Sequence, residues 1–214
     1  MVVFIVSVAL GDGFWGMSSR DALNRDGLIY HASTWGGPID VFDEWWRVFT
    51  GGFLHHGLIH LAVNMYSLYI LGLVLERTLG AASFTAVYLA SLVSGSFGAL
   101  IETPNSLVAG ASGAIFGLLG AYAALSLAQG VGLFRTPLGP ILAINLVISF
   151  TVPAVSLGGH VGGLVGGFIV GGVAALAIRR QQPTTVLVVG VAVVVAAASF
   201  LGALWAASRW PDTI

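Results

Sequence analysis

The chain has 214 residues, of which 57% are hydrophobic and 8% are charged. A soluble domain has about 25% charged residues, so this chain cannot cover a water-exposed surface, and the composition predicts an all-α polytopic membrane protein. The net charge of −1 argues against a nucleic-acid partner, because no basic patch is present to bind phosphates. The absence of cysteine excludes disulfides, thiolate metal sites and cysteine nucleophiles.

The N-terminal apolar run, residues 1–10, is short for a membrane span, which needs about 20 mostly apolar residues. It stays short even when it is extended to Met17. It lacks the basic segment and the cleavage site of a signal peptide, so we interpret it as a first helix truncated at its N-terminus. A polar loop with interleaved tryptophans follows at residues 18–53 and is expected to lie partly at the membrane interface.

Six further apolar runs follow this loop. They predict membrane helices at residues 57–75, 81–101, 110–129, 134–152, 155–178 and 186–207. Arg77, Arg135 and the Arg179-Arg180 pair follow the second, fourth and sixth predicted helices, counted from the N-terminal run. The positive-inside rule therefore predicts that these connections and the N-terminus are cytoplasmic, and that the polar loop is outside.

Two polar side chains interrupt the apolar runs, Ser112 in Gly110-Ala111-Ser112-Gly113 and His160 in Gly158-Gly159-His160-Val161-Gly162. An ionisable residue inside a membrane is costly and suggests a function. Each lies beside a stripe of small residues spaced four apart, a pattern that lets helices approach closely. The stripes are Gly113, Gly117 and Ala121 on one helix, and Gly163, Gly167 and Gly171 on the other. If the stripes meet, the hydroxyl and the imidazole come within hydrogen-bonding reach.

His60 and Asn64 are four residues apart and therefore share one face of the second predicted helix. Both lie in its outer half, at a depth similar to that of Ser112 and His160. This layout predicts a serine nucleophile, Ser112, an imidazole base, His160, and two oxyanion donors. The backbone N–H of Ser112, at a helix N-terminus, adds a further donor.

A catalytic triad would add an acid that orients the base. No Asp or Glu occurs between Glu102 and Asp212, so the hypothesis is a Ser-His dyad. Phe116 follows Ser112 by one helical turn and is predicted to pack against the ring of His160.

Four motifs now fall in order along the chain. They are Trp46-Arg47-Val48-Phe49-Thr50, the set His55, His60, Asn64 and Glu76, the run Gly110-Ala111-Ser112-Gly113-Ala114-Ile115-Phe116-Gly117, and the run Gly159-His160-Val161-Gly162-Gly163-Leu164-Val165-Gly166-Gly167. From about Trp45 to Ile178 this set resembles the rhomboid family of intramembrane serine proteases. The resemblance implies a rhomboid-like six-helix bundle at residues 1–178 and an additional seventh transmembrane helix at residues 184–207.

The resemblance agrees with the nucleophile, base and oxyanion residues predicted above, and it implies supporting roles for others. Trp46 and Arg47 match a structural, membrane-facing signature of the first loop. Glu76 matches an acid at a helix end that helps to hold the fold from the cytoplasmic side. His55 matches a position that braces the loop.

The implied function is an intramembrane serine endopeptidase of the cell membrane, with an active site that opens to the outside. Its partners would be the lipid bilayer and transmembrane substrates with helix-destabilising or small residues near the cut. Neither a cofactor nor a metal is expected, and the oligomeric state stays open.

Two alternatives remain. A histidine-lined metal transporter would use His55, His56, His60 and His160, but it leaves Ser112 unexplained. A catalytically silent, rhomboid-like membrane chaperone would keep the fold without the chemistry. Zinc and aspartyl intramembrane proteases lack the residues that they need, because no histidine has an adjacent acid and no aspartate lies in a predicted span.

Overall fold

The computed structural model describes residues 1–15, 26–132 and 155–209, together with Arg135, Leu138 and Ala143. The helices in these ranges are α1 (Val2–Ala9), α2 (Leu28–Ala32), α3 (Gly36–Val41), α4 (Arg47–Thr50), α5 (Leu58–Leu79), α6 (Ala81–Glu102), α7 (Ser112–Ala128), α8 (Leu157–Arg179) and α9 (Thr184–Ala207). The helix predicted at residues 134–152 lies outside the described residues, apart from those three. No strand longer than a single bridge occurs within the described ranges.

Four of the described helices, α5, α6, α8 and α9, are long and apolar enough to cross a membrane. The predicted limits of these helices were correct to within four residues, and the largest difference is at the end of α5, which continues to Leu79. Helix α7 is shorter than predicted. It begins at Ser112 and has 17 residues, a length of about 25 Å.

The N-terminal run forms α1, a helix of eight residues. This length is about 12 Å, too short to cross a bilayer. The polar loop contains short helices. Its described part, residues 26–53, folds into α2, α3, α4 and a 3-10 turn, Gly51–Phe53.

Helices α5 and α6 are separated by one residue, Gly80. Its φ of +78° lies in the region that only glycine adopts without strain. A Cβ built at Gly80 meets nothing within 4 Å, so the backbone conformation rather than crowding requires glycine. This reversal makes the two helices antiparallel neighbours.

The core lies between α5, α6, α7, α8 and α9, where side chains from each helix are buried. Among the most buried are Leu75, Val87, Leu118, Val170 and Val188. A second apolar cluster joins the loop helices α3 and α4 to α6 and α9 through Ile39, Val48, Leu92, Leu100 and Ala203. The loop helices are therefore packed onto the bundle.

Helix α9 contacts both the bundle and the first loop. The hydroxyls of Ser94 on α6 and Ser199 on α9 form a buried hydrogen bond of 2.9 Å. At the next residue of α9, the ring of Phe200 packs against those of Trp45 and Phe49, with centroids 6.3 Å and 5.6 Å apart. The last helix thus helps to fix the loop that carries Trp46 and Arg47.

Candidate active site

Four helix ends meet at one end of the bundle: the N-termini of α5, α7 and α8 and the C-terminus of α6. The segment that leads into α7 is fixed before Ser112 begins the helix. Thr34 and Val108 form an antiparallel bridge with two backbone hydrogen bonds of 3.0 Å, and the Gly110 N–H donates to the Gly51 carbonyl at 3.0 Å. The first loop therefore holds the backbone that precedes Ser112.

Ser112 and His160 are in hydrogen-bonding contact. The Oγ of Ser112 is 2.8 Å from the Nε2 of His160, across 48 residues of sequence. For Nε2 to accept the hydroxyl proton, the imidazole must carry its own proton on Nδ1. His160 is 7% exposed and Ser112 is half-buried, so the pair is shielded by protein while the hydroxyl stays accessible.

Phe116 packs face to face on the imidazole of His160, as the sequence predicted. The two ring centroids are 4.0 Å apart and the planes differ by 13°. Phe116 is itself buried at 3% exposure. Because Phe116 lies one turn after Ser112 on α7, the same helix supplies the hydroxyl and the surface that orients the imidazole.

The glycine stripes explain why the two helices come close enough for this contact. A Cβ built at Gly163 or Gly167 would overlap the backbone carbonyl of Gly113 or Gly117 on α7. At Gly171 it would overlap Ala121. The predicted meeting of the two stripes is confirmed.

Helix α6 also contributes to this packing, which the sequence analysis did not predict. A Cβ at Gly113 would lie 3.4 Å from the Cα of Gly95, and one at Gly98 would overlap the carbonyl of Gly158. The two glycines of α6, Gly95 and Gly98, are visible in the sequence, but their spacing does not reveal which helix faces them.

His60 lies beside Ser112. A Cβ added to Gly110 would be 2.8 Å from Cε1 and 3.0 Å from Nε2 of His60, and 3.7 Å from Oγ of Ser112. Gly110 has a φ of +140°, so both its conformation and the space around it favour glycine. The missing side chain leaves room for His60 to reach the Ser112 end of α7.

His55 and His56 surround His60. The ring of His55 is edge-on to that of His60 with centroids 5.3 Å apart, and the ring of His56 is nearly parallel to it at 6.1 Å. Among the described residues, no group of three or more His, Cys, Asp and Glu side chains is arranged to hold a metal ion. The three rings form a packed cluster beside Gly110.

Burial, together with the nearby His60, lowers the pKa of His55 to about 4. Burial likewise lowers the pKa of His56 to about 4, helped by His60 and opposed by the carboxylate of Asp12. Both imidazoles are therefore neutral at neutral pH, as packing groups beside an apolar site require.

Asn64 is buried, and its amide nitrogen donates to the backbone carbonyl of His60 at 2.9 Å. This bond fixes the side chain against its own helix. The amide carries a second hydrogen, so Asn64 keeps a donor for the predicted oxyanion role, which stays a prediction.

Arg47 is 2% exposed and organises the first loop. Its guanidinium donates to the carbonyls of Tyr30 at 2.9 Å and Ser33 at 3.2 Å, and it forms an ion pair with Glu44. The ring of Trp46 is exposed, as a membrane-facing residue would be. The structural role predicted for Arg47 thus has a clear physical basis, whereas the membrane contact of Trp46 stays a prediction.

Glu76 is exposed near the end of α5, and its side chain forms no hydrogen bond or ion pair with any part of the chain that the structure describes. Its predicted role in holding the fold therefore stays a prediction.

Glu102 is the polar residue at this end of the bundle that the sequence analysis missed. Its Oε2 accepts hydrogen bonds from the Gly158 N–H at 2.7 Å and the Ser156 hydroxyl at 3.0 Å. The sequence alone predicted no role for Glu102. A contact between residues 56 apart has no local signal in the sequence.

Comparison with known proteins agrees with this geometry. Residues 43–177 match the family description "Rhomboid domain". Over 158 residues the chain is 38% identical to Rhomboid protease GluP of Bacillus subtilis, which covers 70% of this chain and 31% of that protein. Over 130 residues it is 38% identical to the putative rhomboid protease YdcA of the same organism, covering 59% of this chain and 65% of the relative.

A plant protein is also similar to this chain. The chain is 36% identical over 135 residues to RHOMBOID-like protein 6, mitochondrial, of Arabidopsis thaliana, covering 60% of this chain and 43% of the relative. The chain thus spans less than two thirds of the length of each of these three relatives. With the family match extending over more than half of the chain and four long apolar helices among the described residues, this multi-pass membrane protein belongs to the rhomboid family.

Proposed function

We propose that the chain is an intramembrane serine endopeptidase that hydrolyses peptide bonds in or beside transmembrane segments, using Ser112 and His160 as a dyad. The observation that carries the proposal is the 2.8 Å contact between Ser112 Oγ and His160 Nε2. A serine hydroxyl needs an adjacent base to become a nucleophile. The names of the relatives in Bacillus subtilis, both rhomboid proteases, support the same reaction class.

In the acylation step, His160 Nε2 takes the proton from Ser112 as Oγ attacks the carbonyl carbon of the substrate. The resulting oxyanion accepts hydrogen bonds from His60, Asn64 and the backbone N–H of Ser112. Such donors act strongly where water is scarce. His160 then gives its proton to the leaving amine, and the peptide C–N bond breaks to leave an acyl-enzyme on Ser112.

In the deacylation step, His160 takes a proton from water while the water oxygen attacks the acyl carbon. The second oxyanion is held by the same donors. Its collapse returns the proton to Ser112 Oγ and releases the new carboxyl terminus. Each step uses His160 alternately as base and acid.

The proposed arrangement is six core helices within residues 1–178 and an additional transmembrane helix, α9, after them. The N-terminus is cytoplasmic, and the end of the bundle that carries Ser112 faces outward, in keeping with the arginines at the C-terminal ends of α5 and α8. Water then reaches the site from the outer surface.

The proposed substrates are transmembrane proteins with helix-destabilising or small residues near the cut. In a helix the carbonyl is bonded within the backbone and hidden from attack. A substrate must therefore unwind locally before its carbonyl can reach Ser112, and residues with low helix propensity reduce that cost.

The test is labelling of the full chain, in detergent or in vesicles, with a serine-reactive fluorophosphonate, together with cleavage of a reporter transmembrane substrate. Wild type should label and cleave. Ser112→Ala and His160→Ala should do neither while keeping the thermal stability of the wild type. Ser126→Ala, which removes the other serine of α7, is the matched control and should label as the wild type does.

The two alternatives predict different results. A wild type that is folded but neither labels nor cleaves would favour the membrane chaperone. Inhibition by a chelator that zinc reverses would favour the metal transporter. Full activity in Ser112→Ala would overturn the proposed nucleophile.

A further inference from the structure

Glu102 connects two helices at the end of the bundle that carries the proposed site. It is the last residue of α6, and its carboxylate bonds the Gly158 N–H and the Ser156 hydroxyl at the start of α8. The Ser156 oxygen in turn accepts from the Gly159 N–H at 3.0 Å. Two N–H groups that a helix start leaves without an intrahelical partner are thereby satisfied.

These bonds hold the turn that carries His160. The backbone N–H of His160 donates to the carbonyl of Ser156 at 3.2 Å, so the capping serine also closes the first helical turn. A Cβ built at Gly158 would lie 3.0 Å from Oε2 of Glu102 and would overlap the carbonyl of Gly98. The carboxylate thus fills the space that a larger residue at position 158 would take.

The position of Glu102 is unfavourable for its own helix and favourable for its neighbour. A carboxylate at a helix C-terminus meets the negative end of the helix dipole, whereas at a helix N-terminus it meets the positive end. Glu102 ends α6, yet both of its hydrogen bonds are to the N-terminus of α8. A charged acceptor on a backbone N–H makes a stronger bond than a neutral one, so the α8 contact decides where the side chain lies.

We infer that Glu102 is a positioning residue for the proposed reaction, and that it acts through Ser156 and the first turn of α8 to hold His160 against Ser112. The inference rests on the proposed function. Glu102 does not touch the reacting atoms. In a triad, the acid orients the imidazole directly. Glu102 supplies part of that orientation indirectly, through its contact with the helix that carries the base.

The experiment compares Glu102→Ala, Glu102→Gln and Ser156→Ala in the full chain, with Asp40→Asn as the matched control. Asp40 is an exposed carboxylate of the first loop and has no side-chain hydrogen bond or ion pair within the described residues. Two quantities are measured: the rate constant of fluorophosphonate labelling, and kcat and KM for cleavage of the reporter substrate. A folding defect lowers the fraction of protein that labels, whereas a misplaced base lowers the rate constant of the fraction that labels.

Glu102→Ala is expected to lower the labelling rate constant and kcat by about 10- to 100-fold, with little change in KM. A loss of this size is expected when a catalytic group moves by up to about one ångström. Glu102→Gln keeps an oxygen that accepts both bonds and should restore most of this rate. Ser156→Ala should show a similar loss, and combining it with Glu102→Ala should add little, because both act on the same turn. Asp40→Asn should label as the wild type does.

The inference is overturned if Glu102→Ala labels at the wild-type rate, or if its only effect is a smaller labelled fraction. It is also overturned if Glu102→Gln is as slow as Glu102→Ala, since retention of the hydrogen bonds would then not matter. A wild type that does not label at all would instead contradict the proposed function.

Discussion

The pair α7–α8 and the helix α5 both bring residues to the proposed site, but they are held in different ways. Helix α7 buries 12 of its 17 residues, and glycines place its backbone directly against that of α8. Helix α5 buries five of its 22 residues and carries His60, whose ring packs against those of His55 and His56 in the segment before the helix. The proposed nucleophile and base are therefore fixed by backbone packing. Of the two proposed oxyanion side chains, His60 is held by the rings of His55 and His56, and Asn64 by a hydrogen bond to its own helix.

This difference has a consequence for the chemistry. Backbone-to-backbone contact leaves no side chain that can move aside, so a small change in the α7–α8 interface must shift a whole helix. Side-chain packing around His60 can adjust to a substitution at lower cost. We therefore expect the dyad to be sensitive to substitutions far from Ser112, and the oxyanion donors to be individually replaceable.

The largest effect is expected from Gly163→Ala. The new methyl group would overlap the carbonyl of Gly113 and force α7 and α8 apart, at a cost of about 1–3 kcal/mol or more. The unfolding temperature in detergent and the rate of fluorophosphonate labelling should both fall sharply. Gly172→Ala is the matched control on the same helix, because a Cβ there meets nothing within 4 Å, and it should be neutral or stabilising by up to about 1 kcal/mol. Equal effects of the two substitutions would refute the argument that backbone contact sets the interface.

A smaller effect is expected from Asn64→Ala. Removal of one oxyanion donor from a soluble protease costs roughly 100- to 1,000-fold in kcat, and we expect about tenfold here because His60 and the Ser112 N–H remain. The reporter-cleavage rate is the measurement. Thr78→Ala is the control, since Thr78 forms the same kind of bond on α5, donating to the carbonyl four residues earlier at 2.8 Å. An unchanged rate in Asn64→Ala would remove Asn64 from the oxyanion site.

The smallest effect is expected from His56→Gln, and it concerns how the stability of the protein depends on pH. Burial first, and His60 second, lower the pKa of His56 from 6.5 to about 4. As the pH falls below 6.5, the unfolded chain binds a proton that the folded chain resists, so stability is lost down to about pH 4. In His56→Gln, which cannot take up this proton, the fall in the unfolding temperature between pH 6.5 and 4 should be smaller than in wild type.

His31→Gln, which removes an exposed imidazole of α2, is the matched control for the His56 experiment. If the wild type and His56→Gln lose stability in parallel between pH 6.5 and 4, then burial does not hold His56 in its neutral form.

Much of the site followed from the sequence. Ser112 and His160 were identifiable because polar groups in apolar runs are costly, and Phe116 because one helical turn separates it from Ser112. The positions of Gly110 and Glu102 were not predictable. Gly110 leaves room for a ring from α5, and Glu102 caps a helix that begins more than 50 residues later.

The sequence by itself determined that the chain spans a membrane and where its described long helices begin and end, because hydropathy is a local property of about 20 consecutive residues. It also determined which small residues could allow close approach. The tertiary structure alone decided that α6 shares the glycine contact, that α9 packs onto the first loop, and that Glu102 bonds the start of α8. Those contacts depend on how whole helices rotate and slide against one another. That choice is made by the fit of side chains from distant parts of the chain.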